Sequence, residues 1–290
     1  MSGNLIDLRR RIGSVKNTRK ITKAMKTVSA VKLRKSVVEI NRSNPVLEKL
    51  EYLISQVGRS AELLKSPLMK VSSGGETVIV AISADKGLCG SFNSNLSKEA
   101  ELLYQKVIED GGEPSFITVG KKVNNYLSKK GLKIRKNFPD FMIKLKFSDS
   151  KDLTDYLKKM FLDEEIKEIR FVFTGYKSSA KQEISERTLF PIEIEKEDKD
   201  DVEEVEYIFE PDPAEILDLL IPRYINSIVF HTMLESSASE HAARMVAMEL
   251  ASQNASEMIN SLTLTMNKLR QASITNELLE IITATEALSN

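Results

Sequence analysis

With 290 residues the chain is long enough for one large domain or two modest ones, and 42 basic against 42 acidic side chains leave no net charge to draw it to a polyanion. One cysteine, Cys89, excludes an internal disulfide and any multi-cysteine metal site and fits a reducing compartment, and only two histidines exist, His231 and His241. No apolar run approaches the roughly 18 residues of a membrane span, and the opening MSGNLIDLRRR has no apolar centre like that of a signal peptide.

Residues 4–64 read as one long helix. Leu5, Leu8, Ile12 and Val15 are spaced by three and four, Met25 and Val28 continue the stripe, and Leu33, Val37, Ile40, Leu47, Leu50, Ile54, Val57, Ala61 and Leu64 extend it. Alternating steps of three and four are the signature of a coiled-coil seam. Asn4 is the expected cap, and Asp7 suits the first turn. Pro45 removes one backbone hydrogen bond and is expected to kink or break the helix near Asn44.

Residues from about 75 to 210 alternate short strands and helices. Strands are expected at 77–83, 115–119, 132–137, 168–175, 185–194 and 205–210, and helices at 93–109, 120–130 and 151–163. That alternation argues for an α/β sheet, mostly parallel at its start. The last two strands follow each other without a helix, so an antiparallel ribbon is expected there, with the acidic stretch EKEDKDDVEE (195–204) at its solvated tip.

Residues 212–288 read as helix again. Asp212-Pro213 is a cap followed by proline at the first helical position. Pro222 is expected to interrupt as Pro45 does, and no glycine or proline follows from Arg223 to Asn290. Met248, Ala251, Ala255, Ile259, Leu262, Met266 and Leu269 keep the spacing of three and four, and Ile274, Leu278, Ile281 and Leu288 resume it after a slip of about one residue. Both stripes are narrow, with about two apolar positions in seven. The expected fold class is therefore α/β, with a long antiparallel coiled coil of N- and C-terminal helices and a central α/β domain. The segments are bounded at 1–70, 71–211 and 212–290. At 1.5 Å per residue the first helix is roughly 85–90 Å long and the last roughly 110 Å, so the C-terminal helix should overhang its partner by about 20–30 Å. The overhang carries Leu278, Ile281, Ile282 and Leu288, and exposed apolar surface at a helix end marks an interaction site.

Charge is unevenly placed. From Arg9 to Lys35 there are eleven basic residues and no acid. Like charges at helical spacing repel, so something acidic is expected to compensate. An acidic protein partner is the first reading and a solvated helix face the plain alternative. Nucleic acid is a third, disfavoured because no aromatics are interleaved for base stacking. From 223 to 290, by contrast, four basic and seven acidic residues leave a weakly charged surface of Ser, Thr, Asn, Gln, Ala and Met.

Residues 82–93, ISADKGLCGSFN, follow an apolar strand pattern and precede a helix, the setting of a phosphate loop. They lack both GxGxxG and GxxxxGK[ST], so the glycines are read as backbone freedom in a tight turn. A nucleotide-dependent α/β enzyme stays as the rival reading, and a basic coiled-coil adaptor for nucleic acid as a second. His231 and His241 lie ten apart, not at the spacing of a helical metal pair, and are read as structural. Cys89, just after a turn, is expected to be partly exposed and has no partner for a redox switch.

Several stretches carry a resemblance. Ile21-Thr22-Lys23-Ala24-Met25-Lys26 with Lys32-Leu33-Arg34-Lys35 resembles the N-terminal signature of the gamma subunit of F-type ATP synthases. Ala238-Ser239-Glu240-His241-Ala242-Ala243-Arg244-Met245-Val246-Ala247-Met248 is similar to it too. So are Asn267-Lys268-Leu269-Arg270-Gln271-Ala272-Ser273-Ile274-Thr275-Asn276-Glu277-Leu278, the Gly87-Leu88-Cys89-Gly90 turn, and Tyr207-Ile208-Phe209-Glu210-Pro211-Asp212-Pro213. The resemblance covers nearly the whole chain in order.

It implies a non-catalytic rotor shaft. Its coiled coil stands in a ring of three alpha and three beta subunits, and its Rossmann-like α/β domain, without a nucleotide, lies against epsilon and the membrane c-ring. By the same resemblance Arg270, Gln271, Thr275 and Glu277 meet beta-subunit loops, as do Lys86 and Asp85. Met25 either does so or packs in the seam. Tyr207, Phe209 and Glu210 meet the c-ring and epsilon, or else form an edge strand, and the apolar tip sits in a bearing. No cofactor, metal or catalytic residue is implied. Thr27 stands where the family commonly has methionine and Ser29 where alanine is common, and Ile282-Thr283-Ala284-Thr285 replaces a Ser-Gly-Ala stretch. The plastid type's cysteine-bearing insert and a transit peptide are both missing, which implies a peripheral protein on the cytoplasmic side of a bacterial inner membrane.

Overall fold

The computed structural model describes residues 2–60, 67–69, 74–143, 145–178, 181–192, 210 and 212–289. Helix α1 spans Ser2–Ser60, so Asn4 lies inside it rather than capping it, and helix α5 spans Pro213–Ser289. Between them come β1 (Glu76–Ile82), α2 (Phe92–Glu109), β2 (Glu113–Val119), α3 (Lys121–Lys129), β3 (Ile134–Phe138), α4 (Phe147–Asp163), β4 (Ile166–Tyr176) and β5 (Gln182–Phe190). Residues 61–64 and positions 205–209 of the strand expected at 205–210 lie outside the described residues, Tyr207 and Phe209 among them. The chain divides into two compact units, one of Met1–Ser29 with Arg244–Asn290 and one of Ala30–Ala243.

In the larger unit the sheet order is β3-β2-β1-β4-β5. β1 pairs in parallel with β2 and β4, and β2 with β3. Among the described residues the antiparallel pair is β4 with β5, and the ribbon expected of 185–194 with 205–210 involves residues outside them. β1 is buried along its whole length because both faces are covered. Side chains alternate across a strand, so Ile79 and Ala81 pack on Leu96, Leu103 and Leu127 of α2 and α3. Val78, Val80 and Ile82 belong to the other face, with Leu153 and Leu157 of α4, Leu217, Ile225 and Met233 of α5, and Ile54 and Val57 of α1.

Two expectations about the helices need correction. Of the kink or break expected at Pro45 and the interruption expected at Pro222, no break occurs: Pro45 lies within α1 and Pro222 within α5. A proline removes one intrahelical bond and strains one turn, and here buried Ile40 and Ile54 on either side of Pro45 hold the helix by packing. The second concerns the seam of α1. Ile12, Leu33, Ile40, Ile54 and Val57 are buried as read, but Val28 is 56% exposed, and Thr22 and Ser29 join the buried line. The three-four rhythm is right, but small polar side chains fill it where the helices approach closely.

α5 likewise departs from a narrow stripe. From His231 to Ala242 every residue but Glu235 is buried. The α/β domain and α1 both pack on this stretch, so it has almost no free face. Its start is capped as read: Asp212 Oδ1 accepts from the Ala214 N–H at 2.8 Å.

Candidate functional site: partner-contact surfaces

In the smaller unit the two helix segments run antiparallel. Lys26 pairs with Glu249, and Arg19 Nη1 donates to Ser256 Oγ at 3.5 Å, so one heptad back on α1 is one heptad forward on α5. Arg19, Lys20, Lys23 and Lys26 line one side of a groove of about 620 Å³, faced by Glu249, Ser252, Gln253 and Ser256. Four cations meet one carboxylate there, so the groove presents net positive potential. Met25 beside it is half-buried, which suits either seam or contact.

Extending that register places Ser2 opposite residue 273 or so, which leaves roughly 24 Å of α5 beyond its partner at 1.5 Å per residue. Every side chain described from Ile274 to Thr285 is exposed. Leu278 is 54%, Ile281 62% and Ile282 57% exposed, while Leu288 lies where only the backbone is described. Arg270, Gln271, Thr275 and Glu277 are exposed on the same segment. Thr275 Oγ1 donates to the Gln271 carbonyl at 3.0 Å, and Ser273 Oγ to Glu277 Oε1 at 3.2 Å. The Arg270 guanidinium and the Gln271 side-chain amide take no part in these two bonds.

In the larger unit the ISADKGLCGSFN stretch is a filled turn. Asn93 Oδ1 accepts from the Ala84 N–H at 3.1 Å, and Asn93 Nδ2 lies 3.0 Å from Cys89 Sγ. Cys89 is 1% exposed, contrary to expectation, because it packs with Ala84, Phe92 and Ala243 of α5. Gly90 takes φ 58°, the left-handed conformation glycine adopts without strain.

The N-terminus of α3, the neighbouring place where a parallel sheet could hold an anion, is also occupied. Asp85 Oδ1 accepts from the Lys121 N–H at 3.1 Å and from the Asp140 N–H at 2.9 Å. The Ala84 carbonyl accepts from Lys122 N–H at 3.2 Å, and Ser83 Oγ from Val123 N–H at 3.0 Å. The amides that would cradle a phosphate are thus taken by the protein's own oxygens. Asp85 therefore ties the ends of three strands together, while Lys86 is exposed at the turn's surface. Glu210 is exposed as well.

A groove of about 830 Å³ lies at the opposite edge, where β1, β2 and β4 begin. Its floor is an ion-pair network in which buried Glu76 binds Arg135 and Lys133, the latter at 2.8 Å. Strand amino ends are not where open α/β sheets hold ligands, and these charges satisfy one another.

The reading from sequence missed a polar junction around α5. His231 Nδ1 lies 3.0 Å from Ser43 Oγ, and Thr232 Oγ1 accepts from Arg187 Nη1 at 3.1 Å. Burial, and then the Arg187 charge, hold the His231 imidazole below the usual histidine range. Burial pushes the Glu235 carboxyl up, against the pull of Arg187. The one available signal was the small-residue run Ser236-Ser237-Ala238-Ser239, which permits close approach without naming the partner.

The sequence profile of the ATP synthase family matches residues 4–288. The ATP synthase gamma chain of Geotalea uraniireducens is 40% identical over 285 residues, covering 98% of this chain and 99% of the relative. That of Chlorobium phaeobacteroides is 35% identical over 289 residues, with 98% of each chain covered. Among solved structures, a chain of the Euglena gracilis mitochondrial ATP synthase (OSCP, F1 and c-ring) superposes with a TM-score of 0.69 at 20% identity, over 99% of this chain and 95% of that one, a likeness of fold. Matched end to end by profile and by relatives of the same length, the chain belongs to the ATP synthase gamma chain family.

Proposed function

We infer that the chain is the central rotor shaft of an F-type ATP synthase, coupling ion flow through a membrane c-ring to ATP synthesis and hydrolysis at sites on alpha and beta subunits. The observation that carries this is the likeness to curated gamma chains along 98% of the sequence. The shaft is non-catalytic: it acts by biasing its partners' conformational equilibria through contacts that change with orientation. Its partners are three alpha and three beta subunits, epsilon and the c-ring, and it is peripheral to the cytoplasmic face of a bacterial inner membrane. No helix among the described residues is long and apolar enough to cross one.

The surfaces divide by chemistry. The basic groove at Arg19–Lys26 suits acidic loops of the beta subunits, with Met25 at its border. Arg270, Gln271, Thr275 and Glu277 offer outward polar groups to the same subunits, and Lys86, with Asp85 shaping its turn, offers a third contact. Leu278, Ile281, Ile282 and Leu288 form the bearing tip. Tyr207, Phe209 and Glu210 are the proposed c-ring and epsilon contacts. The segments 1–70, 71–211 and 212–290 serve as shaft helix, foot and shaft helix. The filled turn at 85–93 speaks against nucleotide binding by this chain.

Reconstitution tests the reading. Mixed with alpha and beta subunits of its own organism, the chain should enter a complex at one copy per three alpha-beta pairs, and removing residues 270–290 should weaken assembly or turnover. A chain that stays out of the complex contradicts the assignment.

A further inference from the structure

A rotor works only if torque passes from the α/β domain into α5 without slip. In the larger unit, Leu217, Ile221, Ile225, Val229 and Met233 of α5 all lie in the domain's core. They recur at steps of four. Each step advances about 40° round the helix, so the contact line turns through roughly 160°. Apolar contact of this kind resists separation but is non-directional, so it sets no angle by itself. Hydrogen bonds are directional, and two of them sit at the end of this line.

Thr232, fully buried, accepts from Arg187 Nη1 at 3.1 Å, and the Arg187 guanidinium lies over the Phe173 ring at 5.6 Å. Arg187 is on β5 opposite Phe171 of β4, so its backbone is fixed by the sheet. On the adjacent residue, His231 Nδ1 meets Ser43 Oγ of α1 at 3.0 Å. The Ser43 hydroxyl donates to the Ile40 carbonyl at 3.0 Å, which leaves its oxygen to accept from His231 Nδ1–H. Two successive residues of α5 are thereby tied to different elements, one to the sheet's edge strand and one to α1. Ser36 and Ser237, 3.5 Å apart, repeat the α1 tie further along.

We propose that Arg187–Thr232 and Ser43–His231 form a key that fixes the rotational setting of α5 against β5 and α1, so that torque on the α/β domain reaches the shaft without slip. The proposal rests on the rotor reading. These four are positioning residues, and none contacts a partner subunit in the assignments above.

The test uses the whole complex reconstituted in ion-tight vesicles, with Thr232→Val, which keeps side-chain volume, Arg187→Met and Arg187→Lys. Three quantities are measured: assembled complex, ATP hydrolysis, and ATP synthesis driven by an imposed ion gradient. The key predicts normal assembly and hydrolysis for Thr232→Val and Arg187→Met, with synthesis per assembled complex lowered about fivefold, the equilibrium weight of one net hydrogen bond. Arg187→Lys, which keeps a charged donor, should recover part of the loss. A purely structural role would lower assembly and leave synthesis per complex unchanged, and that result overturns the proposal. If Arg187→Met does not assemble, Thr232→Val decides alone. If the unaltered chain itself fails to assemble, the rotor reading falls and the key falls with it. An unaltered chain that couples normally beside variants that do so equally well removes the key and leaves the rotor.

Discussion

Two stretches of α5 have opposite environments. From His231 to Ala242 the helix is buried on nearly every face, and from Ile274 to Thr285 it is exposed on every face. The first is lined with Ser, Ala and His, the second with Leu and Ile, so burial here runs against hydrophobicity. Small side chains are buried because two other elements approach closely enough to need them. Large apolar ones are exposed because the helix outruns its partner. Intramolecular packing explains the first stretch, whereas the second is the apolar surface that the proposed rotor reading assigns to a partner subunit.

Core substitution should separate the two stretches most sharply. Met233→Ala should cost about 2–5 kcal/mol in chemical denaturation of the isolated chain. Leu278→Ala should change it by less than about 0.5 kcal/mol yet weaken assembly with alpha and beta subunits. Equal stability losses at the two positions would erase the distinction. The loop lock comes next. Asp85→Ala strands the amides of Lys121 and Asp140 and should lower stability by about 1–3 kcal/mol.

A pH scan sharpens the buried end. His231 is held below its usual range by burial and then by Arg187. The native state therefore resists protonating it, and this contribution is present above the unfolded value of about 6.5 and lost as pH falls through the folded one. Glu235 has the opposite sign: its carboxyl is pushed up by burial, so its contribution is full below about 4.3 and declines as pH rises. The groups facing this junction are Arg187 from β5, Glu235 on the same helix and the Ser43 hydroxyl from α1, with the Glu39–Arg42 ion pair at the surface of α1. Glu235→Gln should raise the melting temperature at neutral pH, with a gain that vanishes under acid conditions. His231→Gln should flatten the acid-side decline, and an unchanged decline would remove His231 from the account. The smallest effect is chemical. Cys89, buried at 1% exposure, should react slowly with a thiol reagent, whereas a cysteine placed by Leu278→Cys should react at once.

How much was legible in the sequence follows from this contrast. The strands showed because β1, buried on both faces, must be a continuous apolar run. The tip showed because it depends on helix lengths alone, and length needs no side-chain contact. The seam was legible in its apolar members, Ile12, Leu33, Ile40, Ile54 and Val57, but not in its polar ones: Thr22 and Ser29 are small and polar, so a search for apolar positions passes over them and takes exposed Val28. The key was invisible for a different reason. Ser43 and His231 are 188 positions apart and Arg187 and Thr232 are 45 apart, and no local pattern encodes either pairing. Persistence of α1 through Pro45 is a tertiary effect overriding a local one.

Rotation itself is the most direct measurement. Glu210 is exposed and Cys89 is buried, so Glu210→Cys offers a selectively labelled site on the α/β domain. In a complex fixed through its alpha and beta subunits and supplied with ATP, a probe at this site should turn stepwise in one direction. A complex that hydrolyses ATP steadily while the probe stays still would contradict the central claim.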